Sequence, residues 1–156
     1  MILNQKGFTL IEALLALLIT GTLSLISFPP LVKLYDGIKL NQAIALLQSD
    51  LNYIRQANMM PFQGGTYTLR IYHKENKYAL RQNGTNQQLR TLPQGISFPS
   101  VSTTLTDLSF NNLGHIGGGQ TLLIKSKYQE KKIVFSIGTG GIDIRDSNEP
   151  KGLYSD

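Results

Sequence analysis

Hydrophobic positions follow three different patterns along the chain. From residue 8 to residue 28 they are almost continuous, and Glu12 is the one charged residue among them. At about 1.5 Å per residue, a helix of that length can cross about 30 Å of hydrocarbon. Its abundant Leu and Ala are good helix formers. Further on, Leu40, Ala43, Ile44, Leu47, Leu51 and Ile54 recur at spacings of three and four, with Asn41, Gln42, Gln48, Asp50 and Arg55 assigned to the other side. That spacing predicts an amphipathic helix over about residues 31–58, its stripe laid on a sheet. Pro29-Pro30 is expected to kink or break the helical run between the two stretches. Pro61 and Gly64-Gly65 are expected to end the second.

From Thr66 the period becomes two. Tyr67, Leu69 and Ile71 alternate with Thr68, Arg70 and Tyr72, and Tyr78 and Leu80 alternate with Ala79 and Arg81. Residues 74–77 read as a turn, and Asn83-Gly84 as a tight turn tolerant of positive φ. A third strand is expected over 89–92, stopped by Pro93 and Gly95, with weaker candidates over 96–98 and 105–110. Gly114 and residues 117–119 mark a flexible connection. Residues 121–126 and 133–137 read as a hairpin around 128–132, and Gly138, Gly140 and Gly141 as a turn before a last strand over 142–145. The expected class is α+β: a long N-terminal helix, membrane-spanning in its first half and amphipathic in its second, packed on an antiparallel β-sheet. The expected segments are an apolar helix over 8–30, an amphipathic helix over 31–60, an antiparallel β region over 66–145 and a polar tail over 146–156.

Composition alters this picture only slightly. A chain of 156 residues, 41% hydrophobic and 16% charged, with 15 Lys plus Arg against 10 Asp plus Glu, resembles an ordinary single domain. Wholesale disorder, a collagen repeat and a multi-pass membrane protein are excluded. A mean hydropathy of -0.09 is the average of a greasy segment and a polar one. The absence of cysteine excludes disulfides, thiolate catalysis and Cys-ligated metal sites.

Nothing in the spacing points to an enzyme, a metal site or a cofactor. His73 and His115 are isolated, and Asp107, Asp143 and Asp146 are scattered without a base–nucleophile pattern. Residues 117–119 lack the Lys and Ser/Thr of a P-loop, and residues 138–141 precede a strand where a dinucleotide site needs a helix. The basic residues offer a choice. Arg70, Lys74, Lys77, Arg81, Lys125, Lys127, Lys131 and Lys132, interleaved with Tyr72, Tyr78 and Tyr128, are candidates for DNA contact. The alternative, which the pattern favours, is a solvated strand face with edge-protecting lysines.

Glu12 carries the most information. An acidic residue at a bilayer centre costs about 2.5–3.5 kcal/mol on insertion scales, less near an interface, and calls for a named partner. A secretory signal would have an apolar core of about 7–15 residues and a small-residue cleavage site. This stretch is longer, and Phe28-Pro29-Pro30 offers no such site. Cleavage after Gly7 would create an amine on Phe8 about one helical turn from Glu12. That amine could pair with Glu12 of the same chain or of a neighbour.

Lys6-Gly7-Phe8-Thr9-Leu10-Ile11-Glu12, followed by the apolar run, resembles the N-terminus of a type IV pilin or pseudopilin. The resemblance is specific over about the first 35 residues. It implies a leader peptide over 1–7, cleavage by a prepilin peptidase between Gly7 and Phe8, and N-methylation of Phe8. It also implies that Glu12 neutralises the terminal amine of an adjacent subunit during assembly, and that Pro29 matches a helix-bending proline. The Leu108-Ser109-Phe110 segment, the later strand pairs and the glycine-rich final turn resemble minor pseudopilins of the GspH type, a group that includes the competence pseudopilins of Gram-positive bacteria.

The implied function is a non-enzymatic subunit of a filament for DNA uptake in transformation. A subunit of a type II-like secretion system and a membrane-anchored DNA-binding module are the alternatives. Implied partners are other major and minor pilins, the prepilin peptidase, an assembly ATPase and its membrane platform protein, and the membrane itself before assembly, with DNA as a further candidate. The implied location is a single pass in the cell membrane, N-terminus cytoplasmic, and the cell surface after processing.

Overall fold

The computed structural model describes residues 8–60, 64–99, 105–117, 121–136 and 138–147. Gly7 and the leader, Gly118 and Gly119 of the glycine connection, and the tail beyond Ser147 lie outside the described residues. The chain divides into two compact units, residues 1–35 and residues 36–156.

In the first unit the described chain is helical from Leu10, where helix α1 (Leu10–Met59) begins. Leu10, Leu14, Leu17, Leu18, Leu25 and Phe28 are all exposed. An 18-residue window of α1 has a mean hydropathy of 2.0, long and apolar enough to cross a membrane. The helix is not broken at Pro29 and Pro30, one of the two outcomes expected there. Proline's fixed φ is close to the helical value. Each ring removes the N–H that would reach four residues back and crowds the carbonyl there, and helix on both sides maintains the dihedrals.

In the second unit the expected stripe of α1 is buried in full: Leu40, Ala43, Ile44, Leu47, Leu51 and Ile54 are each less than 5% exposed. The strands are β1 (Tyr67–Tyr72), β2 (Lys77–Gln82), β3 (Thr85–Thr91), β4 (Leu105–Ser109), β5 (Thr121–Lys125), β6 (Glu130–Phe135) and β7 (Ile142–Asp146). Among the described residues all pairings are antiparallel, in two sheets where one was expected, ordered β3-β2-β1-β4 and β5-β6-β7. Alternation put Leu69, Ile71 and Leu80 on one face, and they join the core with Leu108, Ile124, Ile133 and Phe135.

Several boundaries differ from expectation. The turn after β1 is a 3-10 turn over His73–Glu75 closed by Asn76 at φ 48, and Lys77 already belongs to β2. β3 begins at Thr85, four residues before its expected start, because its exposed polar half carries no alternation to read. Residues 96–98 contribute only a bridge from Ser97 to Lys125. β6 begins at Glu130, so the hairpin turns over residues 126–129. Asn83 at φ 50 and Gly84 at φ 81 make the expected tight turn between β2 and β3.

Candidate assembly site and its surroundings

Helix α1 opens with a capping box. Glu12 Oε2 accepts the Thr9 backbone N–H at 2.9 Å and the Thr9 hydroxyl at 2.8 Å, while the Glu12 N–H donates to Thr9 Oγ1 at 3.3 Å. The spacing of three makes this possible, because a Thr at the cap and a Glu three residues on satisfy each other's donors. The box lies one residue beyond Phe8, so the carboxylate is held one turn from the position where processing would create an amine. Gly7 lies outside the described residues.

The candidate DNA contacts fall into two groups that strand alternation partly splits. Arg70, Lys77 and Arg81 share the face of the first sheet turned away from α1. Arg70 is paired with Asp107 in a forked contact whose Nε–Oδ1 arm is 2.6 Å. That hydrogen bond holds the Asp107 carboxyl below its ordinary pKa. Lys77 pairs with Glu75 and lies over the Tyr72 ring, and Arg81 donates to the Gly84 carbonyl. Lys74 is exposed on the 3-10 turn. In the second sheet, adjacent Lys131 and Lys132 lie on opposite faces. Lys131 is 3.7 Å from Asp146, and Lys132 donates to the Ser147 carbonyl. Lys125 is exposed on β5, and Lys127 lies over the Tyr128 ring.

Asp50, assigned to the polar side of α1, is 6% exposed and sits on the core side. It accepts the Tyr78 hydroxyl at 2.7 Å and lies 2.7 Å from Arg90 Nε, with Arg90 Nη2 at 3.1 Å from its other oxygen. Burial, reinforced by the Asp50 hydrogen bond, pushes the Tyr78 hydroxyl far above its ordinary pKa, so it serves as a donor. The signal was present in the sequence. Ala43, Leu47, Asp50 and Ile54 are spaced four, three and four apart, which places a carboxylate on the apolar stripe.

Two further contacts tie α1 to the strands, and a third ties the turn after β1 to β4. Asp36 accepts from the Ser126 hydroxyl and the Tyr128 N–H at the tip of the β5–β6 hairpin. Asn58 exchanges hydrogen bonds of 2.8 Å with both backbone groups of Tyr67. His73 is 3% exposed, with Nε2 2.9 Å from the Thr106 hydroxyl and its ring edge-on to Phe98. Among the described residues, no group of three or more His, Asp or Glu is placed to hold a metal.

The chain matches the model of the prokaryotic N-terminal methylation motif over residues 2–28. It is 30% identical over 142 residues to the competence protein ComGD of Bacillus subtilis (strain 168), covering 90% of this chain and 94% of that one. No solved structure matches. A long helix with an apolar N-terminal half, a capped glutamate in its first turn and antiparallel sheets after it define a type IV pilin-like minor pseudopilin. Within that class, the chain belongs to the ComGD family.

Proposed function

We propose that the chain is a minor pseudopilin of a type IV pilus-like competence machine, assembled into or initiating a filament for DNA uptake. The kinship with ComGD over nine-tenths of the chain supports the competence setting. Glu12 carries the mechanism: it is the one charge in the run from residue 8 to residue 32, and its carboxylate is gathered by Thr9 beside the start of the mature chain.

In this reading the precursor inserts once through the cell membrane, with Lys6 on the cytoplasmic side. A prepilin peptidase cuts between Gly7 and Phe8, and the new amine of Phe8 is methylated. An assembly ATPase, acting with a membrane platform protein, then brings the subunit against other major and minor pilins at the cell surface. Its apolar helix exchanges lipid for neighbouring helices. A carboxylate in that environment needs a cation, and the Phe8 amine of an adjacent subunit supplies one. Coulomb attraction rises steeply as the local dielectric falls, so the pair fixes the axial register. A DNA-binding role for the basic strands has less support, because Arg70, Lys77 and Lys131 already face carboxylates.

Two variants in the native host test the reading. Gly7→Asp is expected to keep the precursor mass, and Glu12→Ala to be processed yet absent from the filament. Transformation should fall to the level of a deletion strain in both. Normal processing of the first, or a normal filament from the second, would sink the assignment. A deletion that impairs protein secretion and spares transformation would favour the secretion-system alternative.

A further inference from the structure

The tip of the β5–β6 hairpin is bonded to the first turn of the second unit. Asp36 accepts from the Ser126 hydroxyl and the Tyr128 N–H, and a Cβ on Gly37 would come 3.0 Å from Gln129 Nε2. The tip therefore stands where the chain enters this unit. Met59, at the other end of the unit's share of α1, is about 35 Å of helix away. That entry follows closely on the apolar run. Glu12 and Lys33 bound 20 uncharged residues, about 30 Å of helix, which matches the hydrocarbon thickness of a bilayer. Asp36 comes three residues after Lys33, so chain length alone keeps it within about 11 Å of that boundary. The tip is thus held within reach of the lipid headgroups.

Its chemistry suits that layer. Lys125, Lys127, Tyr128 and Gln129 are exposed, and Lys127 Nζ lies 5.1 Å from the centre of the Tyr128 ring. Lysine and tyrosine settle at membrane interfaces because each joins an apolar body to a polar end. Arg70, Lys77, Arg90, Lys131 and Arg145 each face a carboxylate. Lys125 and Lys127 make no such pair among the described residues. Glu130, across the register from Lys125, is half-buried, and Asp36 is engaged by the tip's own hydroxyl and N–H. We infer that the β5–β6 hairpin tip seats on anionic lipid headgroups around the chain's own membrane span, with Lys125 and Lys127 on phosphates and Tyr128 within the headgroup layer. This contact holds the second unit against the membrane until assembly draws the span out of lipid. It requires residues 8–32 to cross the membrane, as the proposed function has them. Lipid is favoured over DNA as the occupant because the chain's own tether keeps lipid beside the tip at high effective concentration.

The chain contains no tryptophan, so Tyr128→Trp puts a single emitter on the tip. Leu113→Trp puts one on the exposed loop beside Met59. The Asp36 bond uses the backbone N–H of Tyr128, which the first substitution keeps. The full chain is reconstituted in phosphatidylcholine vesicles with and without phosphatidylglycerol. With phosphatidylglycerol, emission from the Tyr128→Trp chain should shift to the blue and be quenched by headgroup spin-labelled phosphatidylcholine. Emission from the Leu113→Trp chain should do neither. Adding Lys125→Gln and Lys127→Gln should abolish the blue shift. With both lysines in place, about 1 M salt should do the same, since it shortens the screening length from about 10 Å to about 3 Å. The salt arm reads the same contact if the lysine variant melts early. A tip indifferent to phosphatidylglycerol, equal quenching at both positions, or a shift that survives lysine removal in a folded chain would overturn the proposal. So would a tip that responds to added duplex DNA and not to lipid charge, which would assign the lysines to DNA. Flotation separates the two readings. A chain that fails to float with the vesicles overturns the membrane span itself, whereas one that floats with an unresponsive tip overturns the seating alone.

Discussion

His73 shows how a single side chain links burial to solution behaviour. Its ring is enclosed, bonded to the Thr106 hydroxyl and edge-on to Phe98. Desolvation lowers its pKa below the ordinary value, against a smaller opposing contribution from the Pro99 carbonyl. The unfolded chain takes up a proton near pH 6.5, whereas the folded chain resists until lower pH. Stability from the neutral ring is therefore fully present above about pH 6.5 and declines as the pH falls toward the folded-state pKa. Urea midpoints measured between pH 7 and pH 5 should fall in the wild type and change less in His73→Gln. Comparing the two isolates the part of the pH dependence that belongs to His73. Parallel pH profiles would show that the ring is not the titrating group. Asp50 is a different case, a carboxyl fixed by its partners. Its forked contact with Arg90 and bond from Tyr78 hold one helix residue and two strands at a single carboxylate. Replacing Arg90 would leave the buried Asp50 carboxyl without its guanidinium partner.

At the scale of elements, two glycine turns converge on α1. Gly114 has φ +76, and a Cβ there would lie 2.7 Å from Met59 Sδ and 2.9 Å from Arg55 Nε. Gly140 has φ +62, and its Cβ would fall 1.9 Å from the Gly114 carbonyl oxygen. Arg55 joins them further by donating to the Thr139 carbonyl at 2.9 Å. Gly140→Ala should cost well over the roughly 1–2 kcal/mol of left-handed backbone strain, because backbone must also move. Gly95→Ala, at φ +89 with open space around it, should cost only that strain. Equal chemical-denaturation losses for the two would refute the close approach. These turns also mark what the sequence could reveal. Gly138 to Gly141 were readable as a turn, but their meeting with Gly114 was not, since spacing along the chain says nothing of which loops touch. The stripe from Leu40 to Ile54 and the alternation of β1 and β2 were legible because each buries one face. The first half of β3 was not, because an edge with no buried face leaves no period. Lys131 and Lys132 looked like one patch until alternation placed them on opposite faces.

For the whole molecule, the decisive fact is where the core begins. Among the described residues, every buried apolar side chain lies at Leu40 or beyond. The large apolar residues described before it are exposed, Phe8, Leu10 and Leu25 at 76–79%. The two halves of the sequence thus serve different solvents: lipid or neighbouring helices for the first, and a self-contained core for the second. Deleting residues 1–35 removes no described core side chain. It also keeps Asp36, whose carboxylate binds the β5–β6 hairpin and would stand near the new helix N-terminus, where negative charge is favourable. A fragment of residues 36–156 is therefore expected to be monodisperse without detergent. It should unfold in one cooperative transition, with a Tm within a few degrees of the full chain in detergent. The same fragment lacks Glu12 and the apolar run, and should not restore transformation to a deletion strain. Calorimetry decides the first point: a broad, non-cooperative melt would mean that the core depends on residues before Asp36. Restored transformation would mean that the second unit acts without being built into a filament, which the assembly reading forbids.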